Sequence, residues 1–216
     1  MGFDKLSADL AGMTVLERSI VAFDDAASVE GVIVVTSSAN DAQVREWYES
    51  GRFSKLRTVV VGGAERADSV AAGVAAVAAE FDGVIAVHDA ARPLISTAAI
   101  DEVVAVASEC GAATIARPIA DTLKRVDADG VVVESVSRDG MWAMETPQCA
   151  RADWMREAVQ LVREKDSGTI TDEVTALQAA GRAVKVVRSS TPNLKITFPG
   201  DVELAERMLA GGGGNV

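Results

Sequence analysis

Short apolar segments alternate with segments of helical periodicity along most of the chain. The apolar segments are each short enough to form a buried strand, and they lie at 32–36, 58–61, 84–87, 112–116 and 184–187. Around them, apolar residues recur at helical spacing, which predicts helices over 15–23, 41–48, 68–80, 97–110, 153–164, 172–180 and 201–209. This alternation predicts an α/β fold with a mostly parallel, Rossmann-like sheet covered by helices.

Residues at the ends of these segments support the predicted boundaries. Thr14 and Asn40 precede the first two helices, and both residue types favour the N-cap position. Gly62 and Gly63 follow the strand at 58–61, where glycine allows the chain to turn toward the next helix.

The pattern changes after Pro118. Two strand-like runs, 122–126 and 131–136, flank a turn that ends in Asp129-Gly130, and an Asp-Gly pair is typical of a hairpin. A lone hairpin with apolar residues on both faces is marginal in water, so we expect it to dock on another subunit. We therefore predict one domain over 1–216 with an inserted β-arm near 118–141.

Composition and charge exclude several classes of partner. The formal net charge is −11, which argues against nucleic acid as a partner, because a phosphate backbone needs a basic face. The apolar runs are too short to span a membrane, and the N-terminus lacks the layout of a signal peptide. Cys110 and Cys149 have no CxxC spacing and are interpreted as buried thiols. These features predict a cytoplasmic protein, or a plastid protein after removal of its transit peptide.

The segment Asp89-Ala90-Ala91-Arg92-Pro93 is the strongest candidate for a binding site. It follows the predicted strand at 84–87, and ligands of open α/β sheets bind at the carboxyl ends of strands. The acid can hold a metal ion, the alanines let a nucleotide approach the backbone, and the arginine can bind a phosphate. Taken alone, an Asp-x-x-Arg sequence is more often a surface ion pair.

Further motifs give the segment a specific meaning. Three further motifs lie at 62–69, 146–148 and 171–173. These motifs and the Asp89 segment, in their order along the chain, resemble the 2-C-methyl-D-erythritol 4-phosphate cytidylyltransferases of the non-mevalonate isoprenoid pathway. The resemblance runs from Met1 to about Leu209. It implies a nucleotidyltransferase that converts CTP and the polyol phosphate to a CDP-alcohol and pyrophosphate, with Mg²⁺ or another divalent cation. It also implies a homodimer that exchanges its β-arms.

The resemblance assigns roles to individual residues. The cations implied to be catalytic are Lys5, Arg138 and Lys195. The cytosine would meet Gly63, Ala64 and Ser69, with Arg66 close by. Asp89 would hold the metal ion, Ala90 would lie against the ribose, and Arg92 would support the loop or the phosphates. The remaining residues implied for the sugar-phosphate pocket are Thr122, Thr146 and Thr171. His88 starts a turn behind a strand, and we interpret it as structural.

The implied chemistry needs no base. A phosphate monoester has a second pKa of about 6 and is largely deprotonated near neutral pH, so the barrier is repulsion between two anions, which converging cations relieve. One alternative is a ribitol 5-phosphate cytidylyltransferase. Another is an inactive, N-truncated dimeric binding module, because the family's glycine-rich phosphate loop would precede Met1.

Overall fold

The computed structural model describes residues 4–37, 40–164 and 172–211. Its strands are β1 (Asp9–Leu10), β2 (Met13–Thr14), β3 (Val32–Thr36), β4 (Leu56–Val61), β5 (Val84–Val87), β6 (Ala112–Pro118), β7 (Leu123–Val126), β8 (Val132–Val136), β9 (Trp142–Arg151) and β10 (Lys185–Arg188). Its helices are α1 (Val15–Asp25), α2 (Asp41–Glu49), α3 (Arg66–Ala75), α4 (Thr97–Cys110), α5 (Ala152–Glu164), α6 (Glu173–Ala179) and α7 (Pro199–Gly211). None of these helices is both long and apolar enough to cross a membrane.

The main sheet confirms the predicted α/β class. It has four strands in the order β10-β6-β9-β5. Strands β10 and β6 pair in parallel, and β9 runs antiparallel to both β6 and β5. A second, two-stranded parallel sheet is formed by β3 and β4. Strand β9 is therefore the one antiparallel member of the main sheet, and the other three strands share one direction.

Strand β9 itself is absent from the sequence prediction. It lies at the centre of the main sheet and pairs on both edges, and the side chains of Glu145, Thr146 and Gln148 are buried. Three buried polar residues hide the apolar pattern by which a buried strand is predicted. The short pair β1 and β2 also has no apolar run and was not predicted.

Helix starts follow the capping chemistry, with two corrections. Thr14 accepts from the backbone N–H of Glu17, and the Glu17 side chain bonds back to Thr14 N, as predicted for an N-cap. Asn40 stands at the N-cap of α2 but makes no capping bond, because its Oδ1 accepts from Ser7 Oγ at 2.8 Å. Helix α3 covers Arg66–Ala75 rather than 68–80, because a capping box at Glu65 starts it earlier.

Two apolar layers cover the main sheet. Helix α4 packs on one face in a cluster with β6 and β9 that includes Ile100, Val103 and Cys149. Helices α5 and α6 pack on the other face through Met155 and Leu177. The prediction that both cysteines are buried is wrong for Cys110, which is exposed at the last residue of α4.

The predicted β-arm is present as β7 and β8. The two strands pair antiparallel, and Gly130 takes a φ of +80° in the turn between them. The arm leaves valine side chains in solvent, since Val126, Val131, Val132 and Val133 are 54%, 59%, 58% and 56% exposed. Within this chain, these apolar side chains therefore remain largely uncovered.

Candidate functional site

Asp89 lies in a tight turn at the carboxyl end of β5. The turn is closed by a 2.9 Å hydrogen bond from Arg92 N to Asp89 O. The backbone N–H of Asp89 donates to Thr146 Oγ1 on the neighbouring strand β9 at 3.1 Å. The Asp89 backbone is thus fixed on two sides, and its carboxylate points away from the strand end into a group of cations.

Two cations bind the Asp89 carboxylate directly. Lys195 Nζ donates to Oδ2 at 2.7 Å, and Arg66 Nε donates to Oδ1 at 3.2 Å. Burial favours a raised pKa for Asp89, but the hydrogen bond from Lys195 and the charge of Arg66 outweigh it and hold that pKa below its usual value. Asp89 is therefore ionised and is bound by the positive groups of Lys195 and Arg66.

A second carboxylate fixes Arg66 from the other side. Its two terminal nitrogens donate to the two oxygens of Glu173, at 2.7 and 2.8 Å. Glu173 is the first residue of α6 and its side chain is only 6% exposed. Such a paired fork fixes the plane of a guanidinium as well as its position. Arg66 is consequently held between Glu173 and Asp89.

Hydrogen bonds join the turn at Asp89 to β9 and to the segment that carries Lys195. Asn193 Nδ2 donates to Thr146 O at 2.8 Å, and Arg92 Nη1 donates to Asn193 O at 2.8 Å. Ile196 N donates to Ala91 O at 2.7 Å. These bonds place Lys195, from the end of the chain, beside the turn after β5.

His88 belongs to the same support and carries no charge near neutral pH. Its Nδ1 lies 3.0 Å from Thr146 Oγ1 and its Nε2 lies 3.2 Å from Arg92 O. Burial is the largest influence, and it lowers the pKa of His88 to about 4. A partly buried, neutral ring with both nitrogens bonded holds the turn to β9, in agreement with its interpretation as structural.

The loop before α3 lies next to Arg66 and contains two glycines that cannot be replaced easily. A Cβ on Gly62 would lie 2.4 Å from Ser69 Oγ, and one on Gly63 would lie 2.2 Å from Asp68 Cβ. The missing side chains let this loop fold closely onto the start of α3. Gly63 and Ala64 are exposed, so the loop presents backbone rather than side chains to a ligand.

Comparisons with known proteins agree with this fold. Residues 1–211 match the model of the family described as IspD: 2-C-methyl-D-erythritol 4-phosphate cytidylyltransferase. The chain belongs to this family. A 2-C-methyl-D-erythritol 4-phosphate cytidylyltransferase from Dechloromonas aromatica is 40% identical over 205 residues, which covers 93% of this chain and 87% of that protein. A 2-C-methyl-D-erythritol 4-phosphate cytidylyltransferase from Pelotomaculum thermopropionicum is 37% identical over 201 residues, which covers 93% of this chain and 84% of that protein.

Solved structures of IspD proteins share the fold. The crystal structure of 2-C-methyl-D-erythritol 4-phosphate cytidylyltransferase from Thermus thermophilus superposes with a TM-score of 0.80 at 28% identity, covering 95% of this chain and 94% of that one. The corresponding Francisella tularensis structure also has a TM-score of 0.80 at 28% identity, with 95% and 93% covered. The predicted Rossmann-like nucleotidyltransferase sheet is confirmed by these likenesses.

The structure brings together some of the residues that the IspD resemblance implies. Those that share contacts at the Asp89 turn are Arg66, Asp89, Arg92, Thr146 and Lys195, and Ala90 lies within that turn. Gly63, Ala64 and Ser69 lie beside Arg66 at the start of α3. Thr171 lies outside the described residues.

Two other predicted residues lie on the β-arm instead. Thr122 directly precedes β7, and Arg138 follows β8. Both are exposed, and Arg138 donates to the backbone oxygen of Ala120 at the base of the arm. The third predicted catalytic cation, Lys5, precedes β1 and is half-buried. In the described part of the chain, none of these three bonds to Asp89.

Sequence reasoning missed the residues that support the cluster from behind. Glu173, Glu145 and Asn193 are each at least nine-tenths buried, with exposures of 5%, 4% and 5%. Of these three, only Glu173 has a local sequence feature that marks its position: Asp172-Glu173 opens a helix, and acidic residues are favoured in a first helical turn. Asp172 indeed caps that helix through Thr175 N at 2.9 Å. Nothing local marks Glu145 or Asn193.

A divalent cation fits this site only together with a ligand. Within residues 4–37, 40–164 and 172–211, no three His, Cys, Asp or Glu side chains form a metal-binding group. Asp89 supplies one carboxylate, and Lys195 and Arg66 already bind its oxygens. Magnesium is commonly held by one or two carboxylates plus substrate phosphates, so the donor set of this site fits a magnesium–triphosphate complex rather than the free ion.

Proposed function

We propose that this protein transfers the cytidylyl group of CTP to 2-C-methyl-D-erythritol 4-phosphate and releases pyrophosphate, in the isoprenoid pathway of the cytoplasm. Membership of the IspD family supports this activity. The structural observation that carries it is the gathering of Asp89, Arg66 and Lys195 at the carboxyl end of β5. This arrangement suits a reaction between two phosphorylated molecules, because the cations can bind phosphate groups and the carboxylate can bind a metal ion.

The nucleotide is expected to bind across the loop before α3. Backbone groups of Gly63 and Ala64 and the hydroxyl of Ser69 would contact the cytosine, since exposed amides and hydroxyls can read a base edge. Arg66 lies between this loop and Asp89 and would line the path to the phosphates. Ala90, with its small side chain, would lie against the ribose.

Asp89 would hold the divalent cation, which is Mg²⁺ in this proposal. When bound with the triphosphate, the ion would supply positive charge that offsets the negative charge developing during the transfer. Asp89 suits this role because Thr146 and the turn fix its backbone and because its pKa is held low, so the carboxylate stays ionised.

The transfer itself is a displacement at phosphorus. An oxygen of the acceptor phosphate attacks the α-phosphorus of CTP, and the bond to pyrophosphate breaks on the opposite side. No proton has to be removed, because the monoester is already largely ionised near neutral pH. Lys195 and Arg138 would hold the attacking phosphate, and Lys5 would stabilise the charge on the α-phosphate. Three hydroxyls would complete the acceptor pocket: Thr122, Thr146 and Thr171.

A homodimer would complete the site. Thr122 and Arg138 lie at the base of the β-arm, and among the described residues neither makes a hydrogen bond or ion pair with Asp89. The exposed valines of the arm give it an apolar surface suited to a second copy of the chain. We propose that the arm crosses to the partner, so that Thr122 and Arg138 serve the partner's site.

A direct assay tests the activity. The purified protein is mixed with CTP, Mg²⁺ and 2-C-methyl-D-erythritol 4-phosphate, and ³¹P NMR follows the formation of the CDP-alcohol and pyrophosphate. We expect both products in equal amounts, and much slower turnover with ribitol 5-phosphate. Faster turnover with ribitol 5-phosphate would contradict the proposed acceptor, and no pyrophosphate with either polyol would contradict the proposed reaction.

A further inference from the structure

A buried side-chain amide links the central strand β9 to the start of α6. Gln148 is only 2% exposed, and its Oε1 accepts from Val174 N at 3.0 Å. Its Nε2 donates to Asp172 Oδ2 at 3.0 Å and to Glu145 O at 3.3 Å. An amide side chain has one end that accepts and one that donates, so the N–H of Val174 and the carboxylate of Asp172 fix its orientation.

Two of these contacts lie in the first turn of α6. Asp172 is the N-cap residue, and its Oδ1 accepts from Thr175 N at 2.9 Å and from Thr175 Oγ1 at 2.6 Å. Val174 N is one of the N–H groups at a helix start that have no partner within the helix, and Gln148 supplies its acceptor. Gln148 therefore binds the residues immediately before and after Glu173.

Glu173 in turn orients Arg66, which spans two elements of the fold. The Glu173 carboxylate accepts from both terminal nitrogens of Arg66, at 2.7 and 2.8 Å. Arg66 Nε donates to Asp89 Oδ1 at 3.2 Å. Glu173 lies on α6 and Asp89 follows β5, so the guanidinium makes all three hydrogen bonds only while α6 and the end of β5 keep their native separation.

Gln148 connects the two elements that Arg66 spans. Strand β9 pairs antiparallel with β5, and Gln148 stands opposite Val87, the last residue of β5. The backbone of Gln148 is thus fixed to β5 by the sheet, while its side chain binds the first turn of α6. That helix has only 7 residues, and so short a helix depends on contacts with the rest of the protein for its stability.

We infer that Gln148 is a positioning residue that sets Glu173 relative to Asp89 and thereby orients the guanidinium of Arg66. The consequence for the reaction rests on the proposed function, in which Arg66 lines the path to the nucleotide phosphates. The position of Arg66 is a property of the protein alone, so the two steps are tested separately.

Two variants separate the hydrogen bonds of Gln148 from its volume. Gln148→Met keeps the length of the side chain and removes all three hydrogen bonds. The exchanged pair combines Gln148→Glu with Asp172→Asn, so that an amide at position 172 donates to a carboxylate at position 148. This pair keeps one negative charge and an acceptor for Val174 N, and asparagine is as good an N-cap residue as aspartate. It gives up only the 3.3 Å contact with Glu145 O.

Crystal structures of the two variants test the position of Arg66 without any activity measurement. In Gln148→Met we expect the start of α6 to move and at least one of the two hydrogen bonds between Arg66 and Glu173 to be lost. In the exchanged pair we expect both bonds to be present. If Gln148→Met retains the native bonds of Arg66 to Glu173 and Asp89, the inference is wrong. If Gln148→Met does not fold, the exchanged pair decides, because loss of the Arg66–Glu173 bonds in that folded protein also overturns the inference.

Steady-state pyrophosphate release at varied CTP tests the consequence for the reaction. We expect the KM for CTP of Gln148→Met to rise about tenfold, with kcat changed by less than about threefold, and the exchanged pair to stay within about threefold of the wild-type KM. A merely structural defect would reduce the amount of folded enzyme, and hence the apparent kcat, without raising KM. Gln160→Met is the matched control, since Gln160 is an exposed glutamine bonded to Glu164 at 2.7 Å, and its KM should equal that of the wild type. An unchanged KM in Gln148→Met overturns the consequence.

A double variant tests whether Gln148 acts through Glu173. Once Glu173→Gln has removed the paired bonds to Arg66, adding Gln148→Met should raise the KM for CTP by no more than about threefold further. A further rise of about tenfold would mean that the two residues act independently, and it would overturn the inference. If the wild type releases no pyrophosphate from CTP, the proposed function fails, while the crystal structures still decide the position of Arg66.

Discussion

Lys195 Nζ donates a 2.7 Å hydrogen bond to Asp89 Oδ2, although 106 positions separate the two residues in the chain. Backbone contacts hold them together, because Ile196 N donates to Ala91 O at 2.7 Å. The carboxylate and one cation of the site are thus paired directly with each other. In the proposed reaction, the metal–nucleotide complex would compete with this ion pair for Asp89.

Removing the charge of Glu173, which forms the paired hydrogen bonds with Arg66, should weaken nucleotide binding. Glu173→Gln replaces one charged oxygen of the fork by an NH₂ group that cannot accept from Arg66, so Arg66 loses its fixed orientation. We expect the KM for CTP to rise about tenfold with a smaller change in kcat. The measurement is steady-state pyrophosphate release at varied CTP.

Glu203→Gln is the control for this prediction. Glu203 forms a surface pair with Arg207, in which both side chains are more than two-thirds exposed, at 68% and 75%. Exposed pairs of this kind contribute little to stability, so the kinetics of Glu203→Gln should equal those of the wild type. An unchanged KM in Glu173→Gln would mean that Arg66 does not need its buried partner.

The low pKa of His88 should make the folded protein less stable in mildly acidic solution. Burial lowers the pKa of its folded form from 6.5 to about 4, so between these pH values the unfolded chain binds a proton that the folded chain excludes. The contribution to the free energy of unfolding is complete above pH 6.5 and falls by up to about 3 kcal/mol toward pH 4.

Denaturant unfolding at a series of pH values checks this. The wild type should lose stability between pH 6.5 and 4, and His88→Asn should show a flatter curve over the same interval. The described carboxylates with a lowered pKa, such as Asp89, lose their contribution to stability mainly as the pH falls below the unfolded pKa of 3.8. Equal slopes for both proteins would assign the acid sensitivity to other groups.

The exposed valines of the β-arm predict an effect on assembly. Val132→Asp places a charge in the middle of the apolar arm surface, where Val132 is 58% exposed. We expect the dimer dissociation constant to rise at least about tenfold, because an unpaired charge would be buried on association. Sedimentation at varied concentration measures it, with Leu204→Asp on α7 as a control that leaves assembly unchanged. A monomeric wild type would contradict the arm exchange.

Arm exchange further predicts that two inactive variants restore each other. Asp89→Asn and Arg138→Gln damage the same site from different chains if Arg138 crosses to the partner. A mixed dimer then has one site with both native residues, so an equal mixture should regain about a quarter of wild-type activity, given random assembly. If Arg138 serves its own chain, every mixed site keeps one defect and the mixture stays inactive.

Local patterns explain which parts of the fold were predictable. Helix α4 has the predicted bounds, because Ser96 caps its start through Ala99 N and Gly111 ends it at a φ of +92°. Strand β9 was missed, since Glu145 and Gln148 are buried polar residues whose side-chain partners lie elsewhere in the chain: Glu145 pairs with Arg117. Gln148 Nε2 donates to Asp172 Oδ2 at 3.0 Å.

The site was predictable only where it is local. The turn at Asp89 follows from one strand and the residues after it. Its contact with Lys195 depends on how the last segment of the chain crosses the sheet, and no spacing in the sequence encodes that crossing. Glu173 was likewise invisible as the partner of Arg66, because the pairing joins residues 107 positions apart.

The central claim is that cytidylyl transfer takes place at Asp89, and one comparison of rates tests it. Pyrophosphate release from CTP and 2-C-methyl-D-erythritol 4-phosphate is measured for the wild type, Asp89→Asn and Asp153→Asn, the last changing a surface carboxylate that is 59% exposed. We expect Asp89→Asn to lose about 100- to 1000-fold in kcat/KM while still melting cooperatively as a folded protein, and we expect Asp153→Asn to be fully active. A folded Asp89→Asn protein that retains wild-type kcat/KM would contradict the account.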